Sequence, residues 1–307
     1  FIFPIFVVPL RTFWTKLLIK TTYMQIITTK LELSNQMAAC IRQGKSIGFV
    51  PTMGALHAGH ASLVKQACAE NAVCVVSVFV NPTQFNNKED LLKYPRNIKK
   101  DAELLADLGV DFVFAPTPEE MYSQEEMQQE FAFDFAGLDQ VMEGKMRPGH
   151  FNGVVQVVSR LFDLVQPTRA YFGEKDFQQL AIIHHMVERS SLSERYTGLK
   201  IVDCPIVREN SGLAMSSRNE RLSEQEKQIA VAISKTLFDS LQWAKTASVK
   251  EVQQRVIDTI NAVDGLEVEY YEIVDKNTLQ PTDVWDNAVG CVTVYCGPVR
   301  LIDNIRY

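Results

Sequence analysis

The sequence VCVVSVFV at residues 73–80 is β-branched and almost entirely apolar. Such a run is typical of a central strand that helices cover on both faces, as in a parallel sheet. Amphipathic stretches with apolar residues at helical spacing separate it from other short apolar runs. This alternation, which extends from Met24 to about residue 201, predicts βαβ units around a parallel sheet. The other predicted strands cover residues 47–50, 111–115, 170–172 and 200–202, and the predicted helices cover 61–71, 97–108 and 153–165.

A different pattern begins after about residue 205. The tetrapeptides SEQE at 223–226 and SVKE at 248–251 both have the form of a helix capping box. The residues after each box carry apolar side chains on one helical face. Strand-like segments come after the helices, which predicts a smaller α+β domain. The strands predicted there cover residues 266–274, 290–295 and 299–305.

The pattern divides the chain into three parts. Residues 24–204 form the first predicted domain and residues 205–307 the second, with no Gly/Ser linker between them. Residues 1–10 (FIFPIFVVPL) are apolar, but a helix that spans a bilayer needs about 20 such residues, and charged residues interrupt the next stretch of chain. Because Met24 opens a stretch typical of an ordinary protein start, we expect residues 1–23 to be an extension without a role in the fold. A weak signal peptide is the alternative interpretation.

The composition excludes some classes of protein. An apolar content of 46% with 22% charged residues is typical of a folded chain with a substantial core. The 31 basic and 37 acidic residues give a formal charge of −6, so no basic excess exists to neutralise a nucleic-acid backbone. We therefore expect no nucleic-acid partner, and the short apolar runs indicate no membrane partner. The six cysteines lack a Cys-x-x-Cys pair, which is typical of reduced thiols in a cytoplasmic protein.

The sequence MGALHAGH at residues 53–60 comes just after the run at 47–50 and leads into a predicted helix. Open α/β sheets bind ligands at the carboxyl ends of their strands, where this loop lies. His57 and His60 are three residues apart, so both imidazoles face the side of the first helical turn where backbone N–H groups favour anions. Gly59 allows a ligand to approach the backbone closely. The pattern predicts a site for nucleotide phosphates, whereas a lone His there would more often be a solvated cap.

Two other segments offer groups for a nucleotide. At residues 171–179 (YFGEKDFQQ), a short strand, a Gly turn and charged residues again precede a helix. Lys175 is suited to neutralise phosphate, and Asp176 to bind a ribose hydroxyl or a metal hydrate. Residues 212–218 (GLAMSSR) place small hydroxyls beside Arg218, which suits a triphosphate. Each segment on its own is also compatible with a surface turn.

Two glutamines supply uncharged polar groups near the same sheet edge. Gln84 lies in NPTQF at 81–85, just past the central strand, and Gln179 lies in a later predicted helix. A carboxamide offers both a donor and an acceptor, which suits a small hydroxylated carboxylate. As single residues, such glutamines are more often solvated. The loop RPGHF at 147–151 is either a flap that closes over an anionic ligand or a plain surface loop.

Several motifs together carry a family resemblance. They are PTMGALHAGH (51–60), FVNPTQF (79–85), YPR (94–96), RPGHF (147–151), FGEKDFQQ (172–179) and VRENSGLAMSSRN (207–219). Through them the chain resembles the pantoate-β-alanine ligase family of the HIGH-type nucleotidyl-transferase superfamily, from Met24 to the C-terminus. Any one motif is weak, but six at family-like spacings are specific. The departures are Ala58, where relatives often carry Glu or another larger residue, and Phe177, where Tyr is frequent.

The resemblance implies a Rossmann-like parallel-sheet domain followed by a smaller C-terminal lid domain, with two chains paired as a homodimer. It also implies an AMP-forming carbon–nitrogen ligase that acts in two steps. ATP and (R)-pantoate, with Mg²⁺, give pantoyl adenylate and pyrophosphate. β-Alanine then attacks the adenylate to give pantothenate and AMP, so the expected partners are small molecules.

The resemblance also assigns roles to residues. His60 matches the family's proton donor. Gln84 and Gln179 match the pantoate ligands, and Gln84 also lies next to the β-alanine position. Asp101 lies in the segment that approaches Mg²⁺ in relatives. We expect His57, His60, Lys175 and Arg218 to be the catalytic residues, because ATP and pantoate are both anions and these side chains supply the countercharge that holds them together. The ATP-binding residues are Met53, Gly54, Ala55, Leu56, His57, Ala58, Gly59, His60, Gly173, Glu174, Lys175, Asp176, Val207, Met215, Ser216, Ser217 and Arg218.

Three other functions share part of this pattern. A nucleotidylyltransferase, which leaves the adenylyl group on a phosphate or nucleotide product, has the same His-x-Gly-His turn and differs only at Gln84 and Gln179. A catalytically silent nucleotide-binding protein binds ATP without releasing pyrophosphate. An aminoacyl-tRNA synthetase shares the turn too, but the acidic charge and the lack of an anticodon-sized extra domain argue against it.

Overall fold

The computed structural model describes residues 24–86, 88–128 and 131–307. The extension predicted at residues 1–23 lies outside the described residues. Within them, no helix combines the length and the apolar character that a bilayer crossing requires.

A parallel sheet organises the chain as far as Cys204. The described residues form six strands in it: β1 Gln25–Ile27, β2 Ile47–Thr52, β3 Val73–Val78, β4 Phe112–Phe114, β5 Arg169–Gly173 and β6 Lys200–Cys204. Their spatial order is β1-β4-β3-β2-β5-β6, and all neighbouring strands run parallel. The apolar run at 73–80 forms β3, inside the sheet between β2 and β4, as its composition predicts.

Helices cover both faces of this sheet. They are α1 Lys30–Arg42, α2 Ala58–Glu70, α3 Lys88–Lys93, α4 Ile98–Asp107, α5 Pro118–Met121, α6 Gln124–Gln128, α7 Met142–Met146, α8 His150–Val165 and α9 Phe177–Glu188. Helices α1, α8 and α9 share one apolar cluster with alternate strand residues such as Phe49. Helices α2 and α4 share another, which includes Val50. Neighbouring residues of β2 therefore point into different cores, as expected for a sheet buried on both faces.

The strand order reverses where β2 meets β5. From β2 the chain proceeds outward through β3 and β4 on one side, and from β5 it proceeds to β6 on the other. Ligands of open α/β sheets bind at such a junction, outside the carboxyl ends of the strands. The loops after Thr52 and Gly173 therefore begin side by side.

Residues 205–307, all of them described, form an antiparallel sheet with helices. Its elements are α10 Glu224–Trp243, α11 Val249–Asn261, β7 Leu266–Asp275, β8 Ala288–Cys296 and β9 Val299–Arg306, with sheet order β7-β8-β9. Both predicted capping boxes are present. Ser223 accepts the backbone N–H of Glu226, and Ser248 accepts that of Glu251. These elements pack around an apolar cluster of their own.

The two sheets are also joined by apolar contacts. Val274, Val289 and Cys291 of the C-terminal sheet, with Leu279, lie in the same buried cluster as α1, α8 and α9. The parallel sheet ends at Cys204, where the sequence places the domain boundary. The division into domains 24–204 and 205–307 stays a prediction.

The predicted fold class, a parallel α/β sheet followed by a smaller α+β region, is confirmed. Neither β1 nor α1 is predicted from the sequence. β1 has three residues and, among the described strands, pairs with β4 alone at the sheet edge. A segment this short gives no periodic pattern. Two predicted helices begin earlier than expected, α2 at Ala58 and α8 at His150.

Candidate active site

A cleft with a volume of about 210 Å³ lies where β2 meets β5. The loops after these strands, helix α8, and residues 205–207 and 215–218 form its walls. The sequence-predicted residues that line it are Met53, His57, Gly59, His60, Gln84, Gly173, Lys175, Asp176, Gln179, Val207, Met215, Ser216, Ser217 and Arg218. The predicted residues that do not line it are Gly54, Ala55, Leu56, Ala58, Asp101 and Glu174.

His57 and His60 cap the first turn of α2 with their own side chains. Nδ1 of His57 accepts the N–H of Gly59 at 3.1 Å, and Nδ1 of His60 accepts the N–H of His57 at 3.4 Å. A side chain at position 59 would collide with the ring of His57, so Gly59 allows that ring to fold back. Because Nδ1 accepts in both rings, each neutral imidazole carries its proton on Nε2, at the opposite edge. Both rings line the cleft, with centroids 4.1 Å apart.

Both imidazoles are uncharged near neutral pH. Burial and the Lys175 ammonium lower the pKa of His57 to about 4. Burial, the His57 ring and Lys175 lower the pKa of His60 to about 3. The formal positive charge of the cleft therefore comes from Lys175 and Arg218, and the imidazoles contribute hydrogen-bond donors.

A carboxylate from α4 holds the loop between β2 and α2. The buried Asp101 accepts the N–H of Ala55 at 3.0 Å and that of Leu56 at 2.8 Å, one on each oxygen. Gly54 and Ala55 have positive φ values of 81° and 51°, so the chain turns sharply where these bonds form. Both oxygens of Asp101 are thus engaged with the loop, and its approach to Mg²⁺ stays a prediction.

The C-terminal sheet holds the loop after β5. Asn304 on β9 is buried and donates to the carbonyl of Glu174 at 2.8 Å and to that of Lys175 at 3.0 Å. Arg306 pairs with the carboxylate of Glu174 at 2.6 Å. The ammonium of Lys175 lies 3.6 Å from Asp176. The position of Lys175 in the cleft therefore depends on residues more than a hundred positions away.

The Ser216–Arg218 turn is tied to the segment after β3. The Ser216 hydroxyl accepts the N–H of Arg218 at 3.2 Å and starts a short 3-10 turn. The Arg218 guanidinium lies 3.2 Å from Asp90 on α3, and the Ser217 hydroxyl lies 3.3 Å from that of Tyr94. Tyr94 also lines the cleft, a position that its YPR motif alone does not reveal.

Gln84 is fixed by a network at the end of β3. Its Oε1 accepts the amide of Asn81 at 3.2 Å, and its Nε2 lies 3.0 Å from the sulfur of Met53. Asn81 also donates to the carbonyl of Gly153 on α8 at 3.0 Å. A Cβ at position 153 would collide with the backbone of Thr83 and Gln84, so this glycine lets α8 approach the turn.

An apolar wall, which is not predicted from the sequence, completes the cleft beside the glutamines. It consists of Phe79, Val154, Val157, Val158 and Leu161. Gln179, in the first turn of α9, reaches the same cleft. The helical periodicity of α8 shows that one face is buried, but it does not distinguish a core face from a cleft face.

A second cavity of about 60 Å³ adjoins the cleft, between the two sheets. The residues common to both spaces are Lys175, Asp176, Gln179 and Arg218. Arg147 and His150, from the RPGHF loop, line this second cavity. Burial and the Arg147 guanidinium lower the pKa of the His150 ring to about 4. The loop therefore places the positive charge of Arg147, whose side chain is 23% exposed, and an uncharged, buried His150 ring next to the cleft.

The described residues provide no all-protein metal cage. No group of three or more His, Cys, Asp or Glu among them is arranged to hold a metal ion. Mg²⁺ commonly keeps several waters and binds one or two carboxylates together with substrate phosphates. Asp176 fits that mode, because its carboxylate lines the cleft and is 49% exposed.

Known proteins match this chain over nearly its whole length. A family model described as pantoate-β-alanine ligase matches residues 25–306. The chain belongs to the pantoate-β-alanine ligase family. A pantothenate synthetase of Phocaeicola vulgatus is 59% identical over 287 residues, which are 92% of this chain and 99% of the relative. One from Bacteroides thetaiotaomicron is 57% identical with the same coverage.

Solved structures of pantoate-β-alanine ligases have the same fold. The pantothenate synthetase of Thermus thermophilus is 42% identical, with a TM-score of 0.84 over 92% of this chain and 99% of that one. The ligase of Francisella tularensis, solved with β-γ ATP and β-alanine, is 34% identical, with a TM-score of 0.75 over 92% and 97%. These matches confirm the predicted family and the predicted activity, the ATP-dependent joining of pantoate to β-alanine. The roles of individual residues stay predictions.

Proposed function

We propose that the cleft joins (R)-pantoate to β-alanine through an acyl adenylate. A carboxylate oxygen of pantoate attacks the α-phosphorus of ATP, pyrophosphate leaves, and pantoyl adenylate forms. The amine of β-alanine then attacks the acyl carbon, AMP leaves, and the nitrogen loses a proton as the amide of pantothenate forms. The observation that carries the proposal is that five elements line one cleft. They are the loops at 53–60 and 173–176, the turn at 216–218, Gln84 and Gln179.

The phosphates of ATP are assigned to the polar side of the cleft. Lys175 and Arg218 supply positive charge, and Arg218 exchanges its contact with Asp90 for a phosphate oxygen. His57 and His60 supply Nε2–H donors. Fixed donors and charges of this kind stabilise a transferring phosphoryl group without reorganising during the reaction. His60, which matches the family's proton donor, acts from a neutral ring. The rest of the ATP site comprises the loops 53–60 and 173–176 with Val207, Met215, Ser216 and Ser217.

Pantoate is assigned to the space between the two glutamines and the apolar wall. Its hydroxyls and carboxylate suit the carboxamides of Gln84 and Gln179, which both donate and accept. Its two methyl groups suit the valines of α8 and Phe79, since burial of a methyl group is favourable by about 0.8 kcal/mol. Fixing the substrate in this way aligns its carboxylate with the α-phosphorus.

β-Alanine is assigned to the second cavity. Its carboxylate needs a cationic site, and Arg147, Lys175 and Arg218 line this space. Its amine must reach the acyl carbon of the adenylate. Gln179 lines both spaces, and Gln84 lines the cleft. A separate cavity lets the amine bind while the adenylate stays in place.

Mg²⁺ is assigned to the phosphates of ATP, with the carboxylate of Asp176 as the protein group within reach. Asp101 is a weaker candidate because each of its oxygens already accepts a backbone N–H. When bound, the ion neutralises charge on the leaving pyrophosphate.

We also propose a homodimer that acts in the cytoplasm. The pairing follows from the family resemblance, and the outer edge of β6, which pairs only with β5 among the described strands, offers a surface for it. The cysteine pattern supports the location. Light scattering on the purified chain tests the pairing, with twice the mass of one chain as the expected result.

The direct test measures pyrophosphate and AMP from ATP, (R)-pantoate and Mg²⁺, with and without β-alanine. We expect pyrophosphate to appear when pantoate is added, and AMP with pantothenate to appear only when β-alanine is present as well. ATP binding without pyrophosphate would support the silent nucleotide-binding alternative. A product that keeps the adenylyl group would support the nucleotidylyltransferase.

A further inference from the structure

The carboxylate of Glu143, on α7, contacts all three strands of the C-terminal sheet. It accepts the hydroxyl of Tyr270 on β7 at 2.8 Å and that of Thr293 on β8 at 3.0 Å. Both of its oxygens also accept the Arg300 guanidinium on β9, each at 2.7 Å. One side chain thus gathers a donor from every strand of a sheet that is more than 120 residues away in sequence.

This contact is charged and largely shielded from water. The side chain of Glu143 is 13% exposed and that of Arg300 is 20% exposed. Burial alone would raise the pKa of Glu143, but the bonds and charge of Arg300, with the Tyr270 hydroxyl, hold it at about 2. Glu143 is therefore ionised at any working pH, and a carboxylate lost here leaves buried donors without an acceptor.

The same carboxylate is linked to the substrate side of the molecule. Nη1 of Arg147, one helical turn along, lies 3.5 Å from Glu143 and 3.2 Å from Nε2 of His150. Nδ1 of His150 lies 2.8 Å from the backbone carbonyl of Gln84. A carbonyl only accepts, so Nδ1 carries the ring proton and Nε2 accepts from Arg147. The links run from Glu143 through Arg147 and His150 to Gln84.

The local backbone fixes Glu143 in this position. Gly144 packs so tightly against the backbone of Asp139 that a Cβ there would collide with it. Met142, the residue before Glu143, has a φ of 44°, which is a rare conformation for a residue with a side chain. Both features belong to the same short helix, so α7 is held rigidly where its carboxylate meets the C-terminal sheet.

We propose that Glu143 is a positioning residue for the ligase reaction. Glu143 pairs with Arg147 while it binds the C-terminal sheet, and Arg147 in turn contacts the His150 ring. Glu143 therefore sets the position of the ring that bonds to the Gln84 carbonyl. In this way the position of the C-terminal sheet affects both the pantoate site and the β-alanine site. This inference rests on the proposed function of Gln84 and of the second cavity. Glu143 also lines the second cavity, and the role assigned to it is to place Arg147 and His150 rather than to bond to a substrate.

The test compares Glu143→Gln with Glu269→Gln in the full-length chain. Glu269 also pairs with Arg300, at 2.5 Å, but its carboxylate bonds to the Tyr295 hydroxyl rather than to Arg147, so it controls for the loss of a carboxylate beside Arg300. We expect Glu143→Gln to lower kcat/KM for pantoate and for β-alanine by about tenfold, the loss of one hydrogen bond to a charged group. The KM for ATP should change much less, and Glu269→Gln should leave all three values near those of the wild type.

A second readout does not depend on activity. In ¹⁵N NMR of histidine-labelled protein, His150 should give the Nδ1–H tautomer, with Nε2 shifted by its bond from Arg147. Glu143→Gln should move the Nε2 resonance, and Glu269→Gln should not. If Glu143→Gln fails to fold, Glu143→Asp replaces it in both measurements. Asp keeps the negative charge, but its side chain is one methylene group shorter.

The outcomes separate the inference from the proposed function. An unmoved His150 resonance in folded Glu143→Gln overturns the positioning role even if the wild type makes pantothenate. Equal losses in Glu143→Gln and Glu269→Gln also overturn it, because they indicate a purely structural contact. A moved resonance in a chain that makes no pantothenate overturns the proposed function and leaves the link through Arg147 standing.

Discussion

At the scale of single residues, the two imidazoles of the cleft each have two roles. Nδ1 of His57 and of His60 caps the first turn of α2, and the opposite ring nitrogen is left as a donor toward the cleft. A capping bond is worth about 1 kcal/mol of stability, whereas a donor to a transferring phosphoryl group acts mainly on the rate. The two contributions can therefore be measured separately in one variant.

Replacing His60 by Ala should lower the rate of adenylate formation by a factor of about 10²–10³, because a donor to the transition state is lost. Stability should fall by only about 1 kcal/mol. Single-turnover release of pyrophosphate and urea unfolding measure the two effects. Ser62→Ala is the control, since it removes a different bond from the same turn, the one from its hydroxyl to the carbonyl of Gly59 at 2.8 Å. An unchanged rate in folded His60→Ala would remove the ring from the mechanism.

The histidines also predict a pH dependence of stability. The pKa values of His57, His60 and His150 are about 4, 3 and 4 in the folded chain, below the ordinary value of 6.5. Between pH 4 and 6.5 the unfolded chain therefore binds more protons than the folded chain. The stability that these neutral rings contribute is fully present above pH 6.5 and is lost as the pH falls toward 4. The raised pKa of His184, beside Asp203, has the opposite sign and acts above pH 6.5.

The measurement is the free energy of unfolding in urea at pH 5, 6 and 7. Replacing His150 by Gln should reduce the slope of this free energy between pH 5 and 6 by up to about 1.4 kcal/mol per pH unit. A slope identical to that of the wild type would mean that the ring is already protonated, or exposed, in the folded chain.

At the scale of elements, a few local signals specify most of the fold. β3 is predicted because its run is mostly valine and almost entirely apolar, and α10 and α11 are predicted because each capping box lies within four residues. β1 is too short to give such a signal. In the cleft, the His-x-Gly-His turn is recognisable because its capping bonds join residues two and three positions apart. The role of Asp101 is not, since its loop partners lie 45 or more positions away. Glu143 has a near partner in Arg147, but the sheet residues that its carboxylate binds are more than 120 positions away.

The approach of α8 to the turn at Gln84 can be tested with Gly153→Ala. The added methyl group meets the backbone of Thr83 and Gln84, so the turn must shift, at a cost of about 1–3 kcal/mol for an overpacked site. We expect the KM for pantoate to rise by about tenfold while the KM for ATP changes little. Steady-state kinetics with each substrate varied in turn provides the internal comparison. Equal changes in both constants would argue against a specific effect on Gln84.

At the scale of the whole molecule, the C-terminal sheet helps to build the nucleotide site. Asn304 donates to two carbonyls of the loop that carries Lys175. Arg306 contacts the same loop through the carboxylate of Glu174, but its side chain is 47% exposed. Two partly buried hydrogen bonds and a more exposed ion pair thus hold one loop from one strand, which allows their contributions to be compared.

Asn304→Ala should raise the dissociation constant for ATP by about tenfold, because two carbonyls lose the buried amide that donates to both. Arg306→Ala should change it by less than about threefold, since exposed ion pairs contribute little. Titration calorimetry with ATP measures both effects without the complete reaction. If Arg306→Ala has the larger effect, the loop is held by charge rather than by the buried amide.

The apolar contact between the two sheets has a consequence for protein engineering. The buried cluster around α1, α8 and α9 also contains four residues from the C-terminal region: Val274, Leu279, Val289 and Cys291. Cutting the chain after Cys204 would expose the apolar surface of α1, α8 and α9 to water. We expect such a fragment to aggregate rather than to act as a smaller nucleotide-binding protein. Chimaeras assembled from different ligases must therefore exchange both sides of this contact together, since neither half is a transplantable module.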